Sequence, residues 1–202
     1  MKLRGLYAVT PDCPDRATLL AMAEQALRGG ATLLQYRNKT TNEDRAGAEA
    51  KALRTLARRY HTPLVVNDDV ELALEIDADG VHLGRDDGDA ARARARLPGK
   101  LLGVSCYDSI ERAEAAVAAG ADYVAFGSVF VSSTKPGAVR APLSLFGAAR
   151  RLGVPLCAIG GITVENAPQL LAAGADLVAV ISDLFDAPDI AARARAYAKI
   201  FA

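Results

Sequence analysis

The stretch Gln35-Tyr36-Arg37-Asn38-Lys39 closes a short apolar run and sets an amide, a guanidinium and an ammonium at alternate positions. In an extended chain the side chains at i, i+2 and i+4 share a face. Gln35, Arg37 and Lys39 therefore point the same way, with two positive charges and one amide. A second stretch carries the opposite sign. Residues 66–87, VNDDVELALEIDADGVHLGRDD, hold eight of the chain's 24 acidic residues and one basic residue, Arg85. Asp68 and the Asp86–Asp87 pair each follow a short apolar run. Carboxylates at the ends of neighbouring strands suit a hard, oxygen-ligated cation such as Mg²⁺. Arginine, lysine, hydroxyls and glycine-flanked backbone N–H groups suit phosphate. Such groups end other apolar runs: Asn67, Ser105, Ser132-Ser133-Thr134-Lys135, Gly160-Gly161 and Ile181-Ser182. Together they suggest a divalent metal bridging a polyphosphate, with a second monophosphate nearby.

Each signal also has a plainer reading. Glu71, Glu75, Asp77 and Asp79 read as solvated helix and turn residues. Asp68 and Asp87, taken singly, suit helix caps. Gly160–Gly161 alone suits a simple turn, and SSTKPG alone is a loop. His82, between Val81 and Leu83, fits a hydrogen-bonded interior residue better than a general base. Tyr36 and Phe126 read as packing residues. The shared position at strand ends is what raises the set above its members.

Those ends must be set by a repeated framework. RGGATLLQYR (28–37), DADGVHLG (77–84), AAGADYVAFGS (118–128) and AAGADLVAVIS (172–182) share one grammar: a helix end, a glycine, a small residue, then a buried strand. The runs are continuously apolar, as parallel strands covered on both faces are. Four more lie between them: LYAVT (6–10), LVVND (64–68), LLGVS (101–105) and PLCAIGG (155–161). Amphipathic segments at 18–28, 41–60, 109–119, 163–173 and 189–201 separate the runs. Short helices at 69–77 and 88–97 complete the pattern. Asp108, Ser109 and Thr163 are cap candidates. Eight strand–helix units predict a closed (β/α)8 TIM barrel, one α/β domain over residues 1–202. An open doubly wound sheet is the alternative, but no early GxGxxG supports a dinucleotide site. In a closed barrel the active site lies at the C-terminal ends of the strands.

The 202-residue chain has a formal net charge of zero and 51% hydrophobic residues. It shows neither a nucleic-acid footprint nor a basic membrane anchor. The three cysteines, Cys13, Cys106 and Cys157, have no zinc or disulfide spacing and read as free thiols of a cytoplasmic protein. The N-terminal apolar run is too short for a signal peptide, and no apolar run is long enough for a membrane span.

In order, QYRNK, VNDDVELAL, ADGVHLGRDD, LLGVSCYD, SSTKPGAVRAPL, AIGGIT and GADLVAVIS resemble the thiamine-phosphate synthase family over nearly the whole chain. QxRxK with VND, GVHLGxxD and TK is specific, whereas IGGI and GAD occur in other phosphate-binding barrels. The family joins an aminopyrimidine methyl diphosphate to a thiazole phosphate and releases pyrophosphate. The resemblance implies substrate contacts from Gln35, Tyr36, Arg37, Asn38 and Lys39, with Arg37 and Lys39 on the leaving group. Asn67 would sit beside it, and Asp68 and Asp87 would ligate Mg²⁺. Ser105 would lie near the pyrimidine. Ser132, Ser133 and Thr134 would bind on the thiazole side, with Lys135 on the diphosphate. Gly161, Ile181 and Ser182 would hold the thiazole phosphate through backbone N–H groups. The catalytic cations would be Arg37, Lys39 and Lys135. Val131, Arg85 and Ser132 depart from the common pattern, where proline, glutamine and threonine are frequent. A related thiazole tautomerase, which needs no diphosphate site, and a non-catalytic phosphate-binding barrel are the competing readings.

Overall fold

The computed structural model describes residues 3–40, 42–84, 88–131 and 140–202. Its strands are β1 (Gly5–Val9), β2 (Leu33–Tyr36), β3 (Leu64–Asn67), β4 (Gly80–Leu83), β5 (Leu101–Tyr107), β6 (Tyr123–Phe126), β7 (Leu156–Ile159) and β8 (Leu177–Val180). They pair in parallel and in sequence order, and β8 returns to β1 with Gly5 opposite Leu177, so the sheet closes. The expected TIM barrel is the observed fold. Helices α1 (Arg16–Arg28), α2 (Glu43–Arg59), α3 (Val70–Glu75), α4 (Ala90–Arg96), α5 (Ile110–Ala118), α6 (Ser144–Ala149), α7 (Ala167–Ala173), α8 (Ser182–Phe185) and α9 (Ile190–Ile200) cover it. No described helix is long and apolar enough to cross a membrane.

Alternation along each strand divides the apolar residues into two cores. Leu6, Leu34, Val66, Val81, Leu102, Val124 and Val178 face the helices. Tyr7, Val9, Leu33, Val65, Tyr123, Cys157 and Leu177 fill the barrel interior. The continuous apolar runs follow from this, because both faces of every strand are buried.

The repeated motif has its physical meaning at the N-terminal end of the barrel. Asp79, Asp122 and Asp176 each stand just before an even-numbered strand and take the backbone N–H of the neighbouring strand's start. Asp79 accepts from Leu64 N at 2.7 Å, Asp122 from Leu102 N at 2.8 Å and Asp176 from Leu156 N at 3.0 Å. An arginine from the helical layer pairs with each: Arg54, Arg94 and Arg150. In the first repeat Thr32 stands there instead, and its backbone N–H and hydroxyl both donate to Leu6 O. The aspartate or threonine after the small residue, before each even-numbered strand, is thus a clamp between adjacent strands.

Much of the acidic stretch is spent on the helical layer. Glu71 pairs with Arg96, Glu75 with Lys51, and Asp77 with both Arg58 and Lys100. Lys100 holds the Asp77 carboxyl below its ordinary range, and Arg96 does the same for Glu71. These pairs are exposed, and their contribution to stability is small. Asp69 caps α3 by accepting from Leu72 N.

Helix boundaries differ from expectation at one informative place. The segment expected to be helical from 163 begins at Ala167. Thr163 and Asn166 first close a turn on each other, with Thr163 N donating to Asn166 Oδ1 and Asn166 N to Thr163 Oγ1. Pro168 then enters the first helical turn, where its missing N–H costs nothing. The cap of α5 is Ser109, which accepts from Arg112 N.

Asp79→Ala should leave the Leu64 N–H without its acceptor and the Arg54 guanidinium with only the Asp77 carbonyl. The expected loss is about 1–3 kcal/mol of unfolding free energy in a urea titration, with activity per folded molecule unchanged because the clamp lies at the far end from the site.

Candidate active site

A cavity of about 840 Å³ opens at the C-terminal ends of the strands. Gln35, Arg37 and Lys39 line it together, as the alternation of β2 requires, and so do Asn67, Asp68, Ser105, Gly161, Ile181 and Ser182. The structure therefore gathers nine of the expected site residues. Asp87, Ser132, Ser133, Thr134 and Lys135 lie outside the described residues, as do Arg85 and Asp86.

Tyr36 and Asn38 do not face this cavity. They occupy the alternate positions of the same stretch, so their side chains turn towards α2. The Tyr36 hydroxyl donates to Glu49 Oε2 at 2.8 Å, and Asn38 Nδ2 donates to the same oxygen at 3.0 Å. Arg45 completes the arrangement through its bond to Glu49 Oε1 at 2.7 Å. Glu49 is fully buried, and each carboxylate oxygen has a donor. The side chains expected to touch substrate at Tyr36 and Asn38 instead anchor the end of β2 to the helical layer. Tyr36 as a packing residue is what the structure shows. Phe126 likewise packs on Phe146.

The cationic edge is held in place by groups with no obvious sequence signal. Thr10 Oγ1 donates to Arg37 O and accepts from Arg37 N, both at 2.9 Å, which pins the backbone under the guanidinium. Asp12 Oδ1 accepts from Lys39 N at 2.7 Å and lies 3.5 Å from Arg37. On β3, Asn67 Nδ2 donates to Asp68 Oδ2 at 2.6 Å, and Lys39 Nζ stands 3.6 Å from the same oxygen. Asp68 has a left-handed backbone, φ 64°, and its N–H is taken by His82 O. Aspartate tolerates that region better than most residues. The result is a carboxylate at the rim beside Lys39, in the cavity that Arg37 also lines.

Across the mouth, β7 runs into Gly160 and Gly161, with φ of 100° and 63°. A side chain is excluded at both: a Cβ on Gly161 would lie 2.2 Å from Val131 O, and one on Gly160 would lie 2.1 Å from Ser128 Oγ. Asn166 Nδ2 donates to Gly161 O at 3.0 Å and fixes the loop. After β8 comes α8, a single helical turn that the apolar pattern did not signal. Its position after the last strand matches the short extra helix at the phosphate end of many barrels. From α9, Arg193 and Tyr197 both reach Asp183 of this turn, at 3.1 and 2.6 Å.

The cavity floor is polar. Gln35 bonds Tyr7, Tyr7 bonds Tyr123, Tyr123 bonds His82 and His82 bonds Ser105. His82 is 7% exposed and lies in the interior. Tyr7 and Tyr123 were missed at the level of sequence because each sits in a run that reads as uniformly apolar. Burial pushes both phenols well above their ordinary range, so they stay protonated. Burial likewise pushes up the Cys157 thiol, which rules out a thiolate on the floor.

Chemically, this arrangement can bind two anions at opposite edges of one cavity with a neutral, hydrogen-bonding floor between them. The chain is similar to known proteins. The family model described as thiamine monophosphate synthase matches residues 6–184. A thiamine-phosphate synthase of Aromatoleum aromaticum is 59% identical over 99% of this chain and 97% of its own. One from an Azoarcus species is 60% identical over 100% and 98%. Among solved structures, a thiamine phosphate pyrophosphorylase from Pyrococcus furiosus superposes with a TM-score of 0.86 at 35% identity, covering 98% of this chain and 96% of that one.

The two faces of β2 can be separated by substitution. Tyr36→Phe should lose about 1 kcal/mol in urea unfolding with turnover kept, whereas Gln35→Ala should cut turnover with a smaller change in stability. Turnover lost in Tyr36→Phe at full folding would place that ring in the site after all.

Proposed function

The chain belongs to the thiamine monophosphate synthase family, and from that premise we propose how its rim divides the work of the transfer. The protein is a transferase that forms thiamine phosphate. Its substrates in this reading are a 4-aminopyrimidine bearing a methyl diphosphate and a thiazole monophosphate, and its second product is pyrophosphate. The observation that carries the reading is the grouping of Gln35, Arg37, Lys39, Asn67 and Asp68 on one side of the cavity, opposite Gly161, Ile181 and Ser182.

The diphosphate departs from a CH₂ on an electron-rich ring, and that ring can delocalise a developing cation. Charge then grows on the leaving group. Arg37 and Lys39 lie where they can stabilise it, and Lys135 is assigned to the same task. The thiazole nitrogen attacks through its own lone pair, so no strong general base is needed. The cavity's neutral floor agrees with that requirement. Gly161, Ile181 and Ser182 would hold the thiazole phosphate through backbone N–H groups, which keeps the nucleophile close to the carbon. Ser132, Ser133 and Thr134 are assigned to the thiazole side, and Ser105 and Gln35 to the pyrimidine.

Mg²⁺ is part of the proposal. Asp68 presents a carboxylate beside the diphosphate cations, and its donor chemistry suits a hard ion. Mg²⁺ keeps several waters and takes few protein carboxylates, so Asp68 and Asp87 suffice alongside phosphate oxygens. When bound, the ion would neutralise charge on the diphosphate. A cytoplasmic location is also proposed; Cys13, Cys106 and Cys157 are all unpaired thiols. A thiazole tautomerase would have no use for the grouped Arg37, Lys39 and Asp68.

The test mixes the protein with both substrates, with and without a chelator. Equal amounts of thiamine phosphate and pyrophosphate are expected, in a Mg²⁺-dependent reaction. No product from folded protein would overturn the reading. Arg37→Ala should slow turnover roughly 100- to 1000-fold. Asp68→Ala should raise the Mg²⁺ needed for half-maximal rate about tenfold or more, since it removes one of few protein ligands. An unchanged Mg²⁺ profile would remove Asp68 from the metal site.

A further inference from the structure

We propose that Gln35, Tyr7, Tyr123, His82 and Ser105 form one directional hydrogen-bond chain whose Gln35 end selects an amino over an oxo group on the pyrimidine. The proposal rests on the functional reading above and adds three positioning residues to it: Tyr7, Tyr123 and His82.

Direction follows from counting protons. Gln35 Nε2 donates to the Tyr7 hydroxyl at 2.5 Å. An amide nitrogen has no acceptor capacity, so the Tyr7 oxygen accepts and its single proton must go elsewhere. The Tyr123 hydroxyl, 2.8 Å away, receives it. Tyr123 in turn spends its proton on His82 Nδ1 at 3.0 Å. That nitrogen is therefore the bare one, and the ring proton sits on Nε2. There it donates to Ser105 Oγ at 2.9 Å. Ser105 keeps its own proton for the cavity. At the other end, Gln35 Oε1 takes no bond from the chain. No buried side-chain oxygen or nitrogen among the described residues lacks a partner, so that oxygen opens on the cavity that Gln35 lines.

The chain is built into the barrel. Its members come from β1, β2, β4, β5 and β6, and they meet only because β5 carries Gly103 between them. A Cβ there would lie 2.1 Å from Tyr123 Cζ and 2.6 Å from His82 Nδ1. The phenols lie edge to face, with centroids 5.9 Å apart. Neither can lose its proton at any working pH, because burial opposes the phenolate.

The two ends thus offer one acceptor, Gln35 Oε1, and one donor, the Ser105 hydroxyl. A 4-aminopyrimidine presents the complement: an amino donor next to a ring-nitrogen acceptor. The 4-oxo analogue presents the reverse, a carbonyl acceptor beside a ring N–H donor. To match it, the Gln35 amide must turn over, both phenol protons must reverse and His82 must change tautomer. The Ser105 hydroxyl can turn to accept without disturbing the others, but the Gln35 amide cannot turn over unless the phenol protons and the imidazole follow, so the discrimination lies at the Gln35 end. Sites that hydrogen-bond a substrate group reject the mismatched analogue strongly.

The experiment has two arms. In the first, kcat/KM is measured for the amino and oxo pyrimidine diphosphates. Wild type should prefer the amino compound on the order of 1000-fold, and Tyr7→Phe and Tyr123→Phe should each reduce that ratio at least about tenfold. A merely structural role for the tyrosines would lower both rates and leave the ratio. Equal turnover of both compounds by wild type overturns the specificity alone, and turnover of neither overturns the functional reading with it. An unchanged ratio in the tyrosine variants overturns the chain. The second arm needs no turnover. Nitrogen NMR of wild type at neutral pH should show His82 protonated on Nε2 only, with His61→Asn assigning the signal, since the chain has two histidines. In Tyr123→Phe the proton should spread over both nitrogens. A proton on Nδ1 in the wild type overturns the direction, whatever the kinetics of the variants.

Discussion

Every strand of this barrel is buried on both faces, and the alternation of side chains along it decides which residue meets the cavity and which meets a helix. β2 shows the constraint most sharply. Gln35, Arg37 and Lys39 enter the cavity, while Tyr36 and Asn38 meet the buried Glu49. A slip of one residue would exchange the two sets. It would put two cations against an outer core and leave Glu49 without two of its donors. The satisfied carboxylate therefore does more than stabilise α2 against β2. It holds the register in which the charged edge of the site exists.

The same residue types mean different things at the two ends of the barrel. At the N-terminal end, Asp79, Asp122 and Asp176 take strand N–H groups and pair with Arg54, Arg94 and Arg150. Their charge is consumed by structure. At the C-terminal end, Asp68 stands beside Lys39 on the wall of the cavity. Parallel strands make this division possible, because all eight present the same end to the same side. Stability and chemistry can then vary independently along one strand.

The strand count, the closure and the position of Gln35, Arg37 and Lys39 were legible in the sequence because they follow from two periods, that of the repeat and that of the pleat. The inner and outer faces of the uniformly apolar runs were not. A strand such as LYAVT carries no polar alternation to mark Tyr7 as interior, and Tyr123 is hidden in the same way. Asp12 was invisible because its partners, Lys39 N and Arg37, lie on another strand. The partners within the acidic stretch were hidden for a similar reason. Glu71, Glu75 and Asp77 are neighbours of Asp68 in sequence but find their partners on α2, α4 and the turn at Lys100. The short helix α8 escaped notice because one turn has no period to detect.

The floor explains how a barrel interior can be polar without becoming a proton-transfer site. Two phenols, an imidazole, an amide and a hydroxyl would be costly to bury singly. Joined end to end, each satisfies the next, and only the terminal groups remain to be met by a ligand. The phenols are held far from ionisation, so the chain supplies orientation and no base. That suits a reaction in which a neutral nitrogen attacks and a diphosphate leaves. In the proposed reaction charge is managed at the rim, where Arg37, Lys39 and Asp68 line the cavity. The floor has only to hold a ring still.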